Sequence, residues 1–251
     1  MNRFAFSKPT QTDEDTELLF GKFRQIGYDG LQLKAGQYKP YLDEPQRFID
    51  ERGQAGGASG MIFGSKLQND EDLAALRQTL AFGQAVGAEL VVLCHGVRRE
   101  GLTADQIRGF GGQISELGKE ALDSGLKLTL HHHYNQPVMF REDVAVFFDA
   151  VAEGTVGLTV DTAHFVKSGV EDIAGIIRDA AHVIDNFHLK DFADGEFRVL
   201  GTASIDFDPI FAAIRDIDYD GWISTDEESG ADLLEAMEHC LHFMKDGLGV
   251  S

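Results

Sequence analysis

The chain has 251 residues, with 42 acidic side chains against 22 basic ones and a formal net charge of −20; that length buries a sizeable core without covalent staples. A surface of this sign repels phosphate backbones and anionic lipids, which argues against nucleic acid or a membrane as partner. Two cysteines, Cys94 and Cys240, make no disulfide framework, and the opening MNRFAFSKPT holds no apolar run long enough for a signal peptide or a span; the expectation is a soluble, cytoplasmic protein.

Along the chain, short apolar runs alternate with segments of helical spacing. RFAFS (3–7) reads as the first strand. TDEDTELLFGKFRQIG follows as a helix, with Thr12 to start it, acids in its first turn and a glycine to stop it. GLQLK (30–34) is the second strand, and YLDEPQRFIDERG a weaker helical segment. The glycine-rich GQAGGASG (53–60) is too short for a linker and runs straight into the third strand, GMIFG (60–64). NDEDLAALRQTLAFGQAVGA opens with an asparagine cap and acids that face the positive helix end. The fourth strand is AELVVLCHG (88–96), where Cys94 reads as a small buried hydrophobe. TADQIRGFGGQISELGKEALDSG begins as a capping box. LKLTLHHH (126–133), VGLTVDT (156–162), VIDNFHLKD (183–191) and GWISTDE (221–227) supply strands five to eight. Among and after them come the helices REDVAVFFDAVAEG, GVEDIAGIIRDAAH, DFDPIFAAIRDI and GADLLEAMEHCLHFMKD.

Eight strands alternating with eight helices imply parallel pairing and right-handed crossovers. The fold class predicted is α/β, a single (β/α)8 TIM barrel spanning residues 1–251 as one domain. An open doubly wound sheet is the competing reading. Its first strand–helix turn usually carries a glycine-rich phosphate loop, and here that turn is SKPTQTDED, without a glycine.

In such barrels reactive groups sit at the C-terminal strand ends. Those ends offer Gln32, His95, His131 and His133, Asp161 with His164, His188 and Lys190, and Asp226 with Glu228. Alternation sorts the faces: if Thr129 points inward, so do His131 and His133, while His132 points at the helices. Asn186, His188 and Lys190 share a face, as do Ser224, Asp226 and Glu228. Each residue also has a plainer reading: a strand-end histidine packing on a helix, Asp161 capping the next turn, Lys190–Asp191 as a solvated ion pair. Four strands placing imidazole or carboxylate at one end point instead to a shared site, of a chemistry suited to Zn, Mn, Co or Fe.

At these residues the chain resembles the xylose-isomerase-like barrel superfamily, which includes sugar isomerases and epimerases, inosose dehydratase and endonuclease IV. VGLTVDTAHFVKSG resembles that group's strand-six motif, NFHLKDF its strand-seven His–(Leu/Phe)–Lys–Asp, and GTASIDFDPIFAAIRDIDYDGWISTDEE its approach to strand eight; LHHHYN is most similar to the histidine run of inosose dehydratases. The resemblance implies one divalent metal ion (Mn, Co, Zn or Mg) on His131, Asp161, His188 and Asp226. The first and last of these stand where glutamates are commoner. It also implies enolisation of a small keto-sugar or keto-cyclitol, with isomerisation or epimerisation favoured over dehydration. Catalytic roles then fall to His131, His133, Asp226, Glu228 and Lys190, with either His131 as ligand and His133 or Glu228 moving protons, or the reverse. His95, His164, Gln32 and Arg198 are expected to bind substrate, and Trp222 to pack. The loop AGQYKPYLDEP (35–45) is expected to be either a lid or an ordinary surface loop. A non-catalytic carbohydrate-binding barrel and an endonuclease IV-like phosphodiesterase remain alternatives. Superfamily members are often dimers or tetramers, which makes a homo-oligomer an expectation.

Overall fold

The structure, a computed structural model, describes residues 2–53 and 59–250, so most of the glycine-rich 53–60 segment lies outside the described residues. Eight parallel strands close into a barrel: β1 (Arg3–Ser7), β2 (Gly30–Leu33), β3 (Gly60–Ser65), β4 (Leu90–His95), β5 (Lys127–His131), β6 (Val156–Asp161), β7 (Ile184–Leu189) and β10 (Trp222–Asp226). β1 pairs with both β2 and β10, which leaves no barrel edge open. A two-stranded antiparallel hairpin, β8 (Asp191–Ala193) and β9 (Glu196–Arg198), follows β7.

Helices α1 (Asp13–Ile26), α3 (Pro45–Arg52), α4 (Asp70–Val86), α5 (Ala104–Asp123), α6 (Arg141–Phe148), α8 (Ile173–Asp179), α9 (Asp208–Asp216) and α10 (Leu233–Leu248) fall on the expected segments. Their starts follow local chemistry. Thr12 and Asn69 accept the backbone N–H of Asp15 and Asp72, and Thr103 and Gln106 form the capping box of α5. Two short helices had no sequence expectation: α2 (Ala35–Tyr38) and α7 (Thr162–Lys167).

The outward strand residues pack on the helices in one large core that includes Phe6, Leu31, Leu93, Leu130, Val160, Phe187 and Ile223. The inward residues grade in polarity along the barrel axis. Ala5, Leu90, Val92 and Trp222 form an apolar floor with Ile62. Above it lies a belt of neutral polar side chains: Thr129 and Thr159 hydroxyls 2.9 Å apart, Asn186 donating to Thr159 at 3.2 Å, and Gln32 donating to Asn186 at 2.8 Å. The charged groups lie above that belt. Trp222 therefore packs, as expected, with its Nε1–H given to Glu89 at 3.1 Å.

The 35–45 segment is a packed element rather than a lid. Tyr38 is fully buried and donates to the Ile62 carbonyl, and Gln37 donates to the Lys8 carbonyl. No described helix is long and apolar enough to cross a membrane.

Candidate active site

Asp161, His188 and Asp226 end β6, lie on β7 and end β10, and strand register brings them together: Asp161 is opposite His188, and His188 opposite Ser224, two residues before Asp226. His188 Nδ1 lies 3.9 Å from Asp161 Oδ2 and 3.8 Å from Asp226 Oδ2. His131 at the end of β5 puts Nε2 3.3 Å from the same Asp161 oxygen. Two buried groups able to hold a metal ion share Asp161: Asp161 with His188 and Asp226, and Asp161 with His131 and His164, the last of which was expected to bind substrate.

Asp161 serves both of its sequence readings, one oxygen each. Oδ1 accepts the His164 backbone N–H at 2.8 Å and caps α7, while Oδ2 faces the cluster. His132 is structural, as alternation requires: its ring stacks on Phe165 with centroids 3.5 Å apart, and Nε2 accepts the Asp161 backbone N–H at 2.8 Å. Burial and the neighbouring imidazoles hold His132 near about 3, hence neutral.

The strand-seven lysine is enclosed by carboxylates. Lys190 is 1% exposed, with Nζ 2.7 Å from Asp226, 2.8 Å from Glu228 and 3.6 Å from Asp161. Burial opposes its charge, but the three carboxylates outweigh burial and hold its pKa above the ordinary lysine value. Burial likewise opposes ionisation of Asp161 and Asp226, and Lys190 leads the groups that hold both well below the usual carboxylate range. A second ammonium was not expected: Lys34 Nζ lies 2.5 Å from Asp226 Oδ1 and 3.1 Å from Glu228 Oε1. Alternation along GLQLK places Lys34 on the face of Gln32, so the signal for it was present.

Three expected substrate contacts are corrected. Gln32 is buried beneath the cup, its Oε1 accepting His188 Nε2–H at 2.6 Å and its amide bonded to Asn186, so its polar atoms are engaged within the barrel. His95 shares the outward face of β4, its ring 4.6 Å from Phe110 of α5, and burial pushes it down to about 4. The neighbour read as a core filler takes the inward place: Cys94 Sγ lies 3.3 Å from His131 Nδ1. Because β4 is apolar on both faces, periodicity could not decide which of Cys94 and His95 faces the cup. Arg198 is engaged by Glu196 at 3.0 Å on the hairpin side away from Phe197. Phe197 itself faces the cup, its ring 4.5 Å from Lys190 Nζ and 5.3 Å from the His164 ring. Among the described residues Asp191 pairs with no lysine; its carboxylate accepts the Ala203 and Ile205 N–H groups and anchors the loop behind the hairpin.

His133 and His164 stand at the rim with ring centroids 3.6 Å apart. His133 donates Nδ1–H to the Tyr134 carbonyl at 2.7 Å, which leaves Nε2 as a free lone pair; burial and then His131 hold its pKa near about 4. Burial pulls His164 far below its ordinary value. On His131, burial works against protonation, while Cys94 and Asp161 raise it to about 10.

His188 Nδ1 is buried and has no hydrogen-bond partner among the described residues. Gln32 occupies the other ring nitrogen as acceptor, so the Nδ1 lone pair points at the gap flanked by two carboxylates. A mixed imidazole–carboxylate set with one such lone pair fits a borderline divalent cation.

Comparison with known proteins follows the same lines. A family model described as a xylose isomerase-like TIM barrel matches residues 20–246. An inosose dehydratase from Clostridium botulinum is 30% identical over 147 residues, covering 51% of this chain and 49% of the relative; the chain spans about half the length of the curated relatives it matches. Among solved structures, an L-ribulose 3-epimerase superposes with TM-score 0.79 at 22% identity over 99% of this chain and 95% of that one. The IolI protein with a bound zinc atom gives 0.78 at 17% identity, with 98% of each chain covered. These two likenesses show the fold alone.

Proposed function

The chain belongs to the xylose isomerase-like TIM-barrel family, and from that premise we propose that it enolises a small keto-sugar or keto-cyclitol with the help of one divalent metal ion, ending in isomerisation or epimerisation. The observation that carries this reading is the unpartnered Nδ1 of His188 between the Asp161 and Asp226 carboxylates. His188, Asp161, Asp226 and His131 would hold the ion. Bound there, it would polarise the substrate carbonyl and stabilise the charge that develops as the α-proton leaves.

The chain's own residues supply the rest. His133, with Nδ1–H tied to Tyr134, offers Nε2 at the rim as the proton acceptor. This favours His131 as ligand and His133 as proton carrier over the reverse assignment. Lys190 donates to a substrate oxygen, its position set by Thr162, which bonds both the N–H and the carbonyl of Lys190. Phe197 covers the lysine and limits water around the reacting carbon.

Dehydration of an inosose is the second reading, favoured by the inosose dehydratases among the relatives. It shares the first step and differs in whether a β-hydroxyl leaves. Incubation of Mn- or Co-reconstituted protein with keto-sugars and inososes in deuterated water tests both. Deuterium at the α-carbon is expected, with an unsaturated product only from dehydration. No exchange across the panel overturns the proposal.

A further inference from the structure

We infer that Lys34 and Lys190 form a receptor for a carboxylate group on the substrate, a seat that the Glu228 side chain fills in the free protein. This rests on the enolisation reading of the same cup and adds to it a substrate class, the keto-sugar or keto-cyclitol acids.

Glu228 bridges the two ammoniums with one oxygen each: Oε1 lies 3.1 Å from Lys34 Nζ and Oε2 lies 2.8 Å from Lys190 Nζ. This is how a carboxylate ligand meets two separate point donors. Of the three carboxylates around Lys190, Asp161 and Asp226 are rigidly placed at strand ends and almost fully buried. Glu228 stands on the connection to α10, with its side chain 32% exposed and Gly230 two residues on at φ 81°. Of the three it is the most exposed, and it lies outside the barrel strands.

Charge points the same way. Once Glu228 leaves the seat, Lys34 and Lys190 keep only Asp226 and Asp161 as counter-charges, and an incoming anion replaces the charge removed, as a neutral sugar cannot. A carboxylate matches the group that fills the seat in the free protein. On the β3 side of the cup, Gly64 pairs with Cys94 and presents no side chain, and a Cβ there would meet nothing within 4 Å.

The test is calorimetric titration of the Mn-loaded protein with D-fructose, 5-keto-D-gluconate and D-fructose 6-phosphate, on wild type, Lys34→Met and Glu228→Gln. The keto acid is expected to bind more tightly than fructose by about tenfold or more, the size of one charge-assisted contact. Lys34→Met should erase that preference. Glu228→Gln, which removes the internal competitor, should keep or increase it, and so supports the inference even if Lys34→Met fails to fold. Equal binding of sugar and keto acid, a preference untouched by Lys34→Met, or a preference lost in Glu228→Gln overturns it, and tighter binding of the phosphate ester overturns the choice of carboxylate. Deuterium exchange separates the two readings: a protein that exchanges fructose and keto acid alike keeps its enolisation and loses the receptor, whereas one that takes up no Mn loses both.

Discussion

Gln32→Leu is the substitution that most directly probes the proposed metal-holding arrangement. The side chain is buried, of similar volume to leucine, and lies beneath the cup, where its Oε1 accepts His188 Nε2–H at 2.6 Å. Leucine removes the acceptor, so a proton on Nε2 becomes a buried donor without a partner. The lost bond and the stranded donor together are worth about 2 kcal/mol. His188 then prefers to carry its proton on Nδ1, which faces Asp161 and Asp226 at 3.9 and 3.8 Å and is the atom needed for the metal. An energy of that size corresponds to a loss of about 30-fold in metal affinity, within the range usual for groups that orient a metal-binding histidine. The assay is competition between the protein and a chelating dye for Zn, alongside Mn binding followed by electron paramagnetic resonance. Asn186 also loses its bond from Gln32, so apo stability should fall by about 1–3 kcal/mol in urea unfolding. That second measurement separates loss of fold from loss of lone-pair direction. Metal affinity within about twofold of wild type, with His188→Ala still abolishing binding, would refute the tautomer reasoning.

Other consequences follow from the same geometry. His133→Gln should lower the rate of α-deuterium exchange by about 10²–10⁴-fold while leaving metal affinity unchanged; an equal loss of metal would place His133 among the ligands instead. Cys94→Val removes the partner of His131 Nδ1 and should weaken Zn binding by about tenfold, with Cys94→Ser in between, read by the same dye competition. His95 is buried with its folded pKa pushed from 6.5 down to about 4. The unfolded chain therefore binds a proton below pH 6.5 that the native state refuses until about pH 4, and stability falls as pH drops through that window. His95→Phe should reduce the acid loss between those limits by up to about 3 kcal/mol, and an unchanged pH profile in chemical denaturation would contradict the burial argument. Thr103→Ala at the start of α5 should cost about 1 kcal/mol in thermal unfolding without affecting metal binding.

The amino-acid sequence by itself determined the parts of this protein that depend on local periodicity. Strand runs, helix caps at Thr12, Asn69 and Thr103, and the meeting of Asp161 with His188 at one barrel rim follow from alternation, capping chemistry and the requirement that parallel strands be joined by crossovers. The division of labour in LHHH was legible for the same reason, because His131 and His132 point to opposite faces of β5. What only the tertiary structure decided depends on neighbours distant in the chain. Gln32 became a holder of His188, 156 residues away, because the barrel closes β2 toward β7 across its interior. Cys94 faces the cup and His95 the helices, against expectation, because a strand apolar on both faces carries no alternation from which to read a side. Arg198 turned from the cup and Phe197 toward it because the hairpin after β7 sets its own register. Lys34 and Glu228, far apart in sequence, meet on Lys190 and Asp226, and only the closed barrel brings those charges close enough to balance one another.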